Sequence, residues 1–394
     1  MRIIQRLRMP GLLSFPPDMD FFELHSLNVL IGPNASGKSN FMDTLELLHA
    51  LPTDFAAAVR KGGGAEEWLW KGGLQTLPAA IDVEVDSGDL LNRRFRYRLS
   101  FAAAGPRVSI VDELIDEPRD RRGVERPSYY YFHQGRPEID IRVQTADGPR
   151  LEKRAVQLDD RSLDQSVLAQ RKDPDFYPEL FWLGAIFGDI RAFREWTFGP
   201  HGARQPQRTD FPTDQLLPDA SNLALVLNQV EHKVGPIFDD YLKRFIPRFK
   251  RMTTSIEGGT VQLYLHESGL RAPTPATRLS DGTIRLLALL ATLLHPFPPT
   301  LVCIEEPELG LHPDAVALLA ELLIEASDRM QLVVTTHSDA LVSALTSQPE
   351  AIVACERPGA GTELRRLDPE KLASWLDNYR LGDLWRMGEL GANP

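Results

Sequence analysis

Residues 2–9 alternate apolar and polar positions as an edge strand does, and after the Pro-rich stretch at 14–18 the short apolar run Leu27–Ile31 predicts a second strand. A Gly-rich turn follows, and from Lys38 to about Ala50 apolar residues recur at helical spacing. Between about 68 and 157 the pattern changes to short alternating segments, at 81–85, 93–101, 107–114, 128–133 and 139–144, broken by Gly, Pro and Asp turns, which predicts antiparallel sheet. Residues 160–250 read as mostly helical, with apolar positions at helical spacing over 181–193 and 223–245 and an irregular Pro-rich stretch at 199–218. Beyond Arg251 the pattern predicts a strand at 261–266, a helix at 283–295, a strand at 300–304, a helix at 313–327, a strand at 331–335 and a helix at 338–345. Strands alternating with helices imply a parallel sheet covered on both faces.

The 394 residues suffice for two lobes. An α/β lobe built from 1–158 and 251–360 is interrupted by a mainly helical insert at 159–250 and followed by a tail at 361–394. The tail, from Trp375 to Gly391, is amphipathic and aromatic-rich and is expected to dock on the core or on a partner. No internal repeat and no sustained heptad pattern is visible.

Composition narrows the class. Hydrophobic residues at 43% and charged residues at 25% describe a globular chain. No run of about 18 apolar residues occurs, and Arg2, Arg6 and Arg8 punctuate an alternating N-terminus where a signal peptide would be apolar. A soluble, cytoplasmic protein without a membrane partner is the expectation. Cys303 and Cys355 both sit in apolar, strand-like stretches and are expected to be reduced core residues. A formal net charge of −11 argues against binding nucleic acid by bulk charge, so any DNA contact must be local. The one local strip, Arg94, Arg96 and Arg98 on a common strand face with Arg93 and Arg107 nearby, has a plainer reading as a sheet face paired with Asp82, Glu84 and Asp86.

Gly32-Pro33-Asn34-Ala35-Ser36-Gly37-Lys38-Ser39 fits G-x-x-x-x-G-K-[ST] between a predicted strand and a predicted helix. Such a loop curls its N–H groups and the positive helix end around a β-phosphate, places Lys38 on the β/γ-phosphate charge and offers the Ser39 hydroxyl to Mg²⁺. A chance Gly-rich turn is the alternative, and the strand–loop–helix context counts against it. Glu305 and Glu306 end an apolar strand. Alone they would read as a solvated turn, but downstream of a phosphate loop they read as a metal carboxylate, Glu305, and a general base, Glu306. Leu279-Ser280-Asp281-Gly282-Thr283 precedes an apolar helix, where Ser280 or Asp281 can be an N-cap. His337 follows the strand 331–335 and by itself would more often be structural.

In this order the motifs resemble those of ABC-type ATPases of the SMC/RecF/OLD-like class, and 279–283 resembles the L-S-G-G-[QE] signature. The segment from Glu306 to Pro313, with His312, is similar to the E-E-P-E-x-x-L-H-P stretch that includes the D-loop; His312 also reads simply as a turn residue before a helix-starting proline. The resemblance covers about 1–60 and 250–360. It implies an ABC-type P-loop NTPase lobe, a mixed sheet with flanking helices and an antiparallel β subdomain, carrying an inserted mainly helical lobe. It further implies Mg²⁺-dependent ATP hydrolysis with Lys38, Glu306 and His337 as catalytic residues, nucleotide contacts from residues 32–39 and Asn40, and contacts from Ser280, Asp281 and Gly282 to the nucleotide of a second copy. Metal ligands by resemblance are Ser39, Glu305 and a glutamine, for which Gln170 and Gln165 are the candidates. The stretch beyond Leu345 is too short for the Toprim domain of OLD nucleases, so the resemblance is to a stand-alone ATPase working with a separate effector, a nuclease or toxin, in antiphage defence or DNA repair. An ATP-binding scaffold with negligible turnover is the alternative, and a transporter subunit is disfavoured by the long insert. Two positions depart from the pattern: Asp281 stands where the signature has glycine, and Glu305 where many such strands end in Asp.

Overall fold

The computed structural model of the chain describes residues 2–73, 77–88, 93–118, 128–133, 136–145, 148–155, 163–194, 196 and 202–392. The expected lobe boundary at 158–159 and the start of the irregular stretch at 199–201 lie outside the described residues. Two compact units are each gathered from separate segments: Met1–Ser26, Gly32–Arg191 and Val353–Arg366 form one, and Leu27–Ile31, Ala192–Ile352 and Leu367–Pro394 form the other. Residues 192–250 thus group with 251–352, whereas 163–191 group with the phosphate loop. Among the described residues no helix is long and apolar enough to cross a membrane.

The first unit is built on an eight-stranded sheet in the order Phe22–Glu23, Ile4–Arg8, Ala79–Asp86, Arg94–Ala104, Arg107–Asp116, Ser128–His133, Arg136–Thr145, Gly148–Ala155, antiparallel throughout. The alternation along Arg94–Ala104 puts Phe95, Tyr97, Leu99 and Phe101 inside. Phe101 meets Phe55, Tyr97 meets Phe187 and Phe95 meets Trp182, each pair with ring centroids 5.3–5.4 Å apart. The arginines of the same strand face acids. Arg96 donates to Asp82 at 2.7 and 2.8 Å, and Arg8 reaches the same carboxylate at 2.8 Å from the other neighbouring strand. Arg94 pairs with Asp86 at 3.2 Å, and Arg98 lies 3.9 Å from Asp112. The arginine strip is therefore an acid-paired sheet face.

One buried carboxylate in this unit titrates unusually. Glu113 accepts from the Tyr97 hydroxyl at 2.7 Å, the Ser166 hydroxyl at 2.6 Å and the Val167 N–H at 3.0 Å, and burial pushes it up to about 6. A folded value above the ordinary 4.5 favours the native state below that pH, and this contribution is lost as pH rises through 6, about 2 kcal/mol in all. Denaturant unfolding between pH 4 and 7 is expected to show the stability of the wild type relative to Glu113→Gln falling from about pH 4.5 to 6 and level above that; a difference that does not change with pH would contradict the assignment.

In the second unit the strands Leu27–Ile31, Gln331–Thr335 and Leu301–Glu305 lie side by side in parallel, each apolar and buried almost without interruption, as strands covered on both faces must be. The helices Asp281–Leu293 and Ala315–Ser327 belong to the same apolar core: Ile284, Leu287, Leu290, Leu319 and Leu323 are fully buried in it with Val29, Ile304 and Val334. Cys303 is buried here and Cys355 in the first unit, both reduced, and burial raises the Cys355 thiol to about 12. Of the tail helices, Leu381–Arg386 docks on this core through fully buried Leu381, Leu384 and Trp385, while Pro369–Leu376 leaves Trp375 exposed.

Three stretches differ from the periodicity. The run expected as one helix over 181–193 divides into the helix Pro178–Gly188 and the strand Ile190–Phe193. Gly188 and Asp189 end the helix, and the last four residues pair as a strand instead. Phe249–Glu257, at the end of the expected helical lobe, is a strand in a hairpin with Thr260–Glu267. The helix Leu223–Phe245 is kinked at Val234, two residues before Pro236, whose missing N–H and ring break the hydrogen-bond ladder.

Candidate functional site

The chain leaves the strand Leu27–Ile31, forms the loop 32–37 and enters the helix Lys38–Ala50. Gly37 caps that helix with φ +107°, and a Cβ there would lie 2.2 Å from the Thr362 hydroxyl, so only glycine fits. The Thr362 hydroxyl bridges the Ser36 carbonyl (2.9 Å) and Ser14 Oγ (2.7 Å), and the Asn40 amide donates to Ser14 at 2.7 Å. These contacts fix the loop from outside. Ala35 is held at φ +63°, a left-handed conformation that costs a non-glycine residue about 1 kcal/mol or more. Lys38 is nearly buried, and its ammonium donates to the Gly32 carbonyl at 2.7 Å and the Pro33 carbonyl at 3.0 Å, which holds the charge across the mouth of the loop. The helix has no side-chain cap and no acid in its first turn, the electrostatics that an anion requires. A cleft of about 280 Å³ opens beside Asn40, with Leu13, Ser14, Trp70, Lys71 and Arg357 in its wall.

Of the two glutamines, Gln165 is engaged at the start of the helix Phe55–Lys61, accepting from Phe55 N–H at 3.1 Å and donating to Asp54 at 2.7 Å. Gln170 donates to the Gln165 carbonyl at 2.9 Å.

In the second unit, parallel register aligns Glu305 with Thr335 and Thr335 with Leu30, so three strands end together at one edge. Glu306 N–H donates to the Thr335 carbonyl at 3.0 Å and Thr336 N–H to the Leu30 carbonyl at 3.2 Å, continuing the ladder past the strand ends. Glu306 itself is left-handed, at φ +46°. Strain of this kind persists only where neighbours over-determine it, and the Arg285 guanidinium does so by donating to the Glu306 carbonyl at 3.1 Å and the Trp196 carbonyl at 2.9 Å. Burial lowers the Arg285 pKa against the opposing pull of Glu308 and Glu306. The carboxylate of Glu306 lies 3.7 Å from His337 Nε2, and Arg194 donates to Glu305 at 3.2 Å. Glu308, two residues on, accepts from the Thr336 hydroxyl, and burial raises its pKa.

The signature loop lies in the same unit. Ser280 caps the helix Asp281–Leu293, its Oγ accepting from Thr283 N–H at 3.1 Å. Gly282 abuts the segment after Glu306 so closely that a Cβ would come within 2.2 Å of the Gly310 carbonyl oxygen. Asp281 accepts from Arg204. His312 is exposed and accepts from the Asp314 N–H at 3.3 Å, the behaviour of a turn residue.

The structure thus brings Glu306 to His337, and the 280–282 loop to the segment that follows Glu306. Sequence reading missed Arg194, Arg204 and Arg285. Only Arg285 carried a signal, as the lone charge in the apolar run 284–294.

Among the described residues no cluster of three or more His, Cys, Asp or Glu side chains could hold a metal by itself. Mg²⁺ beside a nucleotide needs no such cage: one or two protein oxygen ligands with phosphate and water suffice, and a hydroxyl at Ser39 and a carboxylate at Glu305 are donors of that kind.

A loop of this form leaving a parallel strand, with carboxylates closing a strand of the same sheet, is the arrangement of a P-loop NTPase fold. The chain belongs to the family described as "AAA domain, putative AbiEii toxin, Type IV TA system", which matches residues 27–343. No curated protein matches the sequence. Similar solved structures are SMC heads. A head bound to the C-winged helix domain of ScpA has 14% identity and a TM-score of 0.56 over 94% of this chain and 99% of its own. The Pyrococcus furiosus head with an extended coiled coil, bound to the C-terminal domain of ScpA, has 13% identity and a TM-score of 0.55 over 95% and 98%. The Pyrococcus yayanosii head with a coiled coil and joint has 11% identity and a TM-score of 0.51 over 95% and 99%. By family the chain carries an AAA domain, and by fold it is similar to the heads of SMC proteins.

Proposed function

We propose that the chain is an ATP-driven switch. Mg-ATP binds through Gly32, Pro33, Asn34, Ala35, Ser36, Gly37, Lys38, Ser39 and Asn40, with the base directed to the cleft beside Asn40, where Trp70 and Arg357 offer stacking and charge. Glu306 accepts a proton from the attacking water, and His337 orients that water and senses the terminal phosphate. Two copies close on two nucleotides, Ser280 and Gly282 of each meeting the phosphates held by the other, and hydrolysis lets them part. Ser39, Glu305 and Gln170 are the residues that would hold Mg²⁺, which would neutralise phosphate charge when bound.

The observation that carries this reading is the strained Glu306, fixed by Arg285 and facing His337 at 3.7 Å. Packing of Gly282 against Gly310 supports a link between the signature loop and that carboxylate. The family's description names a toxin of a type IV toxin–antitoxin system, which favours a defence role over DNA repair. One contact favours a second reading, a nucleotide-binding scaffold with negligible turnover: Arg194 engages Glu305, a pairing that metal must displace.

Phosphate release by the purified full chain with Mg-ATP, with and without double-stranded DNA, separates the two. The switch predicts steady turnover, and a DNA-dependent rate would identify DNA as the trigger. Tight ATP binding with no release under either condition would overturn the switch in favour of the scaffold.

A further inference from the structure

A carboxylate at the signature loop is out of place for an element that meets phosphate. Asp281 stands in the first turn of its helix with a 73% exposed side chain; there it favours the helix dipole but opposes any second anion. Its partner is not a wandering surface cation. The Arg204 side chain is only 20% exposed, and the segment bearing it is fastened to the core. Ala203 is buried, Gln207 donates to the Ala203 carbonyl at 3.1 Å, and the same Gln207 accepts from Ala224 N–H at 2.7 Å at the start of the helix Leu223–Phe245. Arg204 is thus carried to Asp281 by an ordered loop from 77 residues away in sequence.

We infer that Arg204 is a positioning residue that neutralises Asp281, so that the start of the signature helix can receive the triphosphate held by a second copy of this chain. The inference rests on the switch proposed above and supplies what the glycine of the signature pattern would otherwise provide, a helix start without an opposing charge. An exposed ion pair of this kind adds little to folding stability. Its effect appears when an interface excludes water and the uncompensated carboxylate faces phosphate, a repulsion worth on the order of 10²-fold in association.

The experiment measures ATP-dependent dimerisation of the full chain by light scattering across a concentration series, in a Glu306→Gln background that blocks turnover, with ATP binding and thermal unfolding followed in parallel. Arg204→Ala is expected to weaken dimerisation by about 10²-fold with ATP binding to the monomer and the melting temperature nearly unchanged. Adding Asp281→Asn to Arg204→Ala is expected to restore dimerisation to within a few-fold of the parent, a rescue that a merely structural role for Arg204 would not give. If Arg204→Ala dimerises like the parent, or if the double variant is not rescued, the inference is overturned. If the parent binds ATP and never dimerises, the switch itself fails, and the inference with it.

Discussion

Replacing Glu306 by glutamine is expected to lower ATP turnover by about 10²–10⁴-fold while leaving Mg-ATP binding within a few-fold of wild type. Several contacts aim this one side chain. Its N–H is tied to the Thr335 carbonyl, its own carbonyl is held by Arg285, and its backbone is kept left-handed at φ +46°. Glutamine preserves the shape and the hydrogen-bonding reach and removes the ability to take a proton. Phosphate release and equilibrium ATP binding measured on the same preparation check this result. Turnover at the wild-type rate would move the base elsewhere, with Glu308, whose pKa is raised by burial, as the next residue to replace.

Lys38→Ala is expected to act one step earlier, weakening ATP binding by about 10²-fold or more and thereby removing turnover. Hydrogen bonds to charged groups contribute about 1.5–3 kcal/mol each, and the ammonium is well placed to exchange its two loop-carbonyl acceptors for two phosphate oxygens. The loop is fastened independently of Lys38, through Thr362, Ser14 and Asn40. The melting temperature should therefore fall by only a few degrees, so that a binding defect is separable from misfolding. Titration calorimetry with ATP reads the effect. Unimpaired binding in this variant would mean that the nucleotide sits away from residues 32–39.

Much of this was legible in the chain because the relevant signals are local. Leu27–Ile31 and Gln331–Thr335 are apolar runs too short for helices, and both form the strands their sequences predict. The loop 32–37 announces itself by glycine, with Ala35 taking a backbone geometry that its identity hid. Ile190–Phe193 was less accessible, since four apolar residues after a helix continue its periodicity, and only pairing decides their state. Phe249–Glu257 could have been recognised: Gly258 and Gly259, both at positive φ, form the tight turn that joins it to Thr260–Glu267. The three arginines around the strand-end carboxylates and signature loop were beyond sequence reading. Arg194 and Arg204 approach Glu305 and Asp281 from stretches 111 and 77 residues away in the chain, and no periodicity carries such a pairing.

Light scattering of the Glu306→Gln chain with Mg-ATP and with Mg-ADP tests the switch most directly. The account predicts that the 44.2 kDa mass doubles with ATP and stays single with ADP. A single mass under saturating ATP, with binding verified by titration, would contradict it.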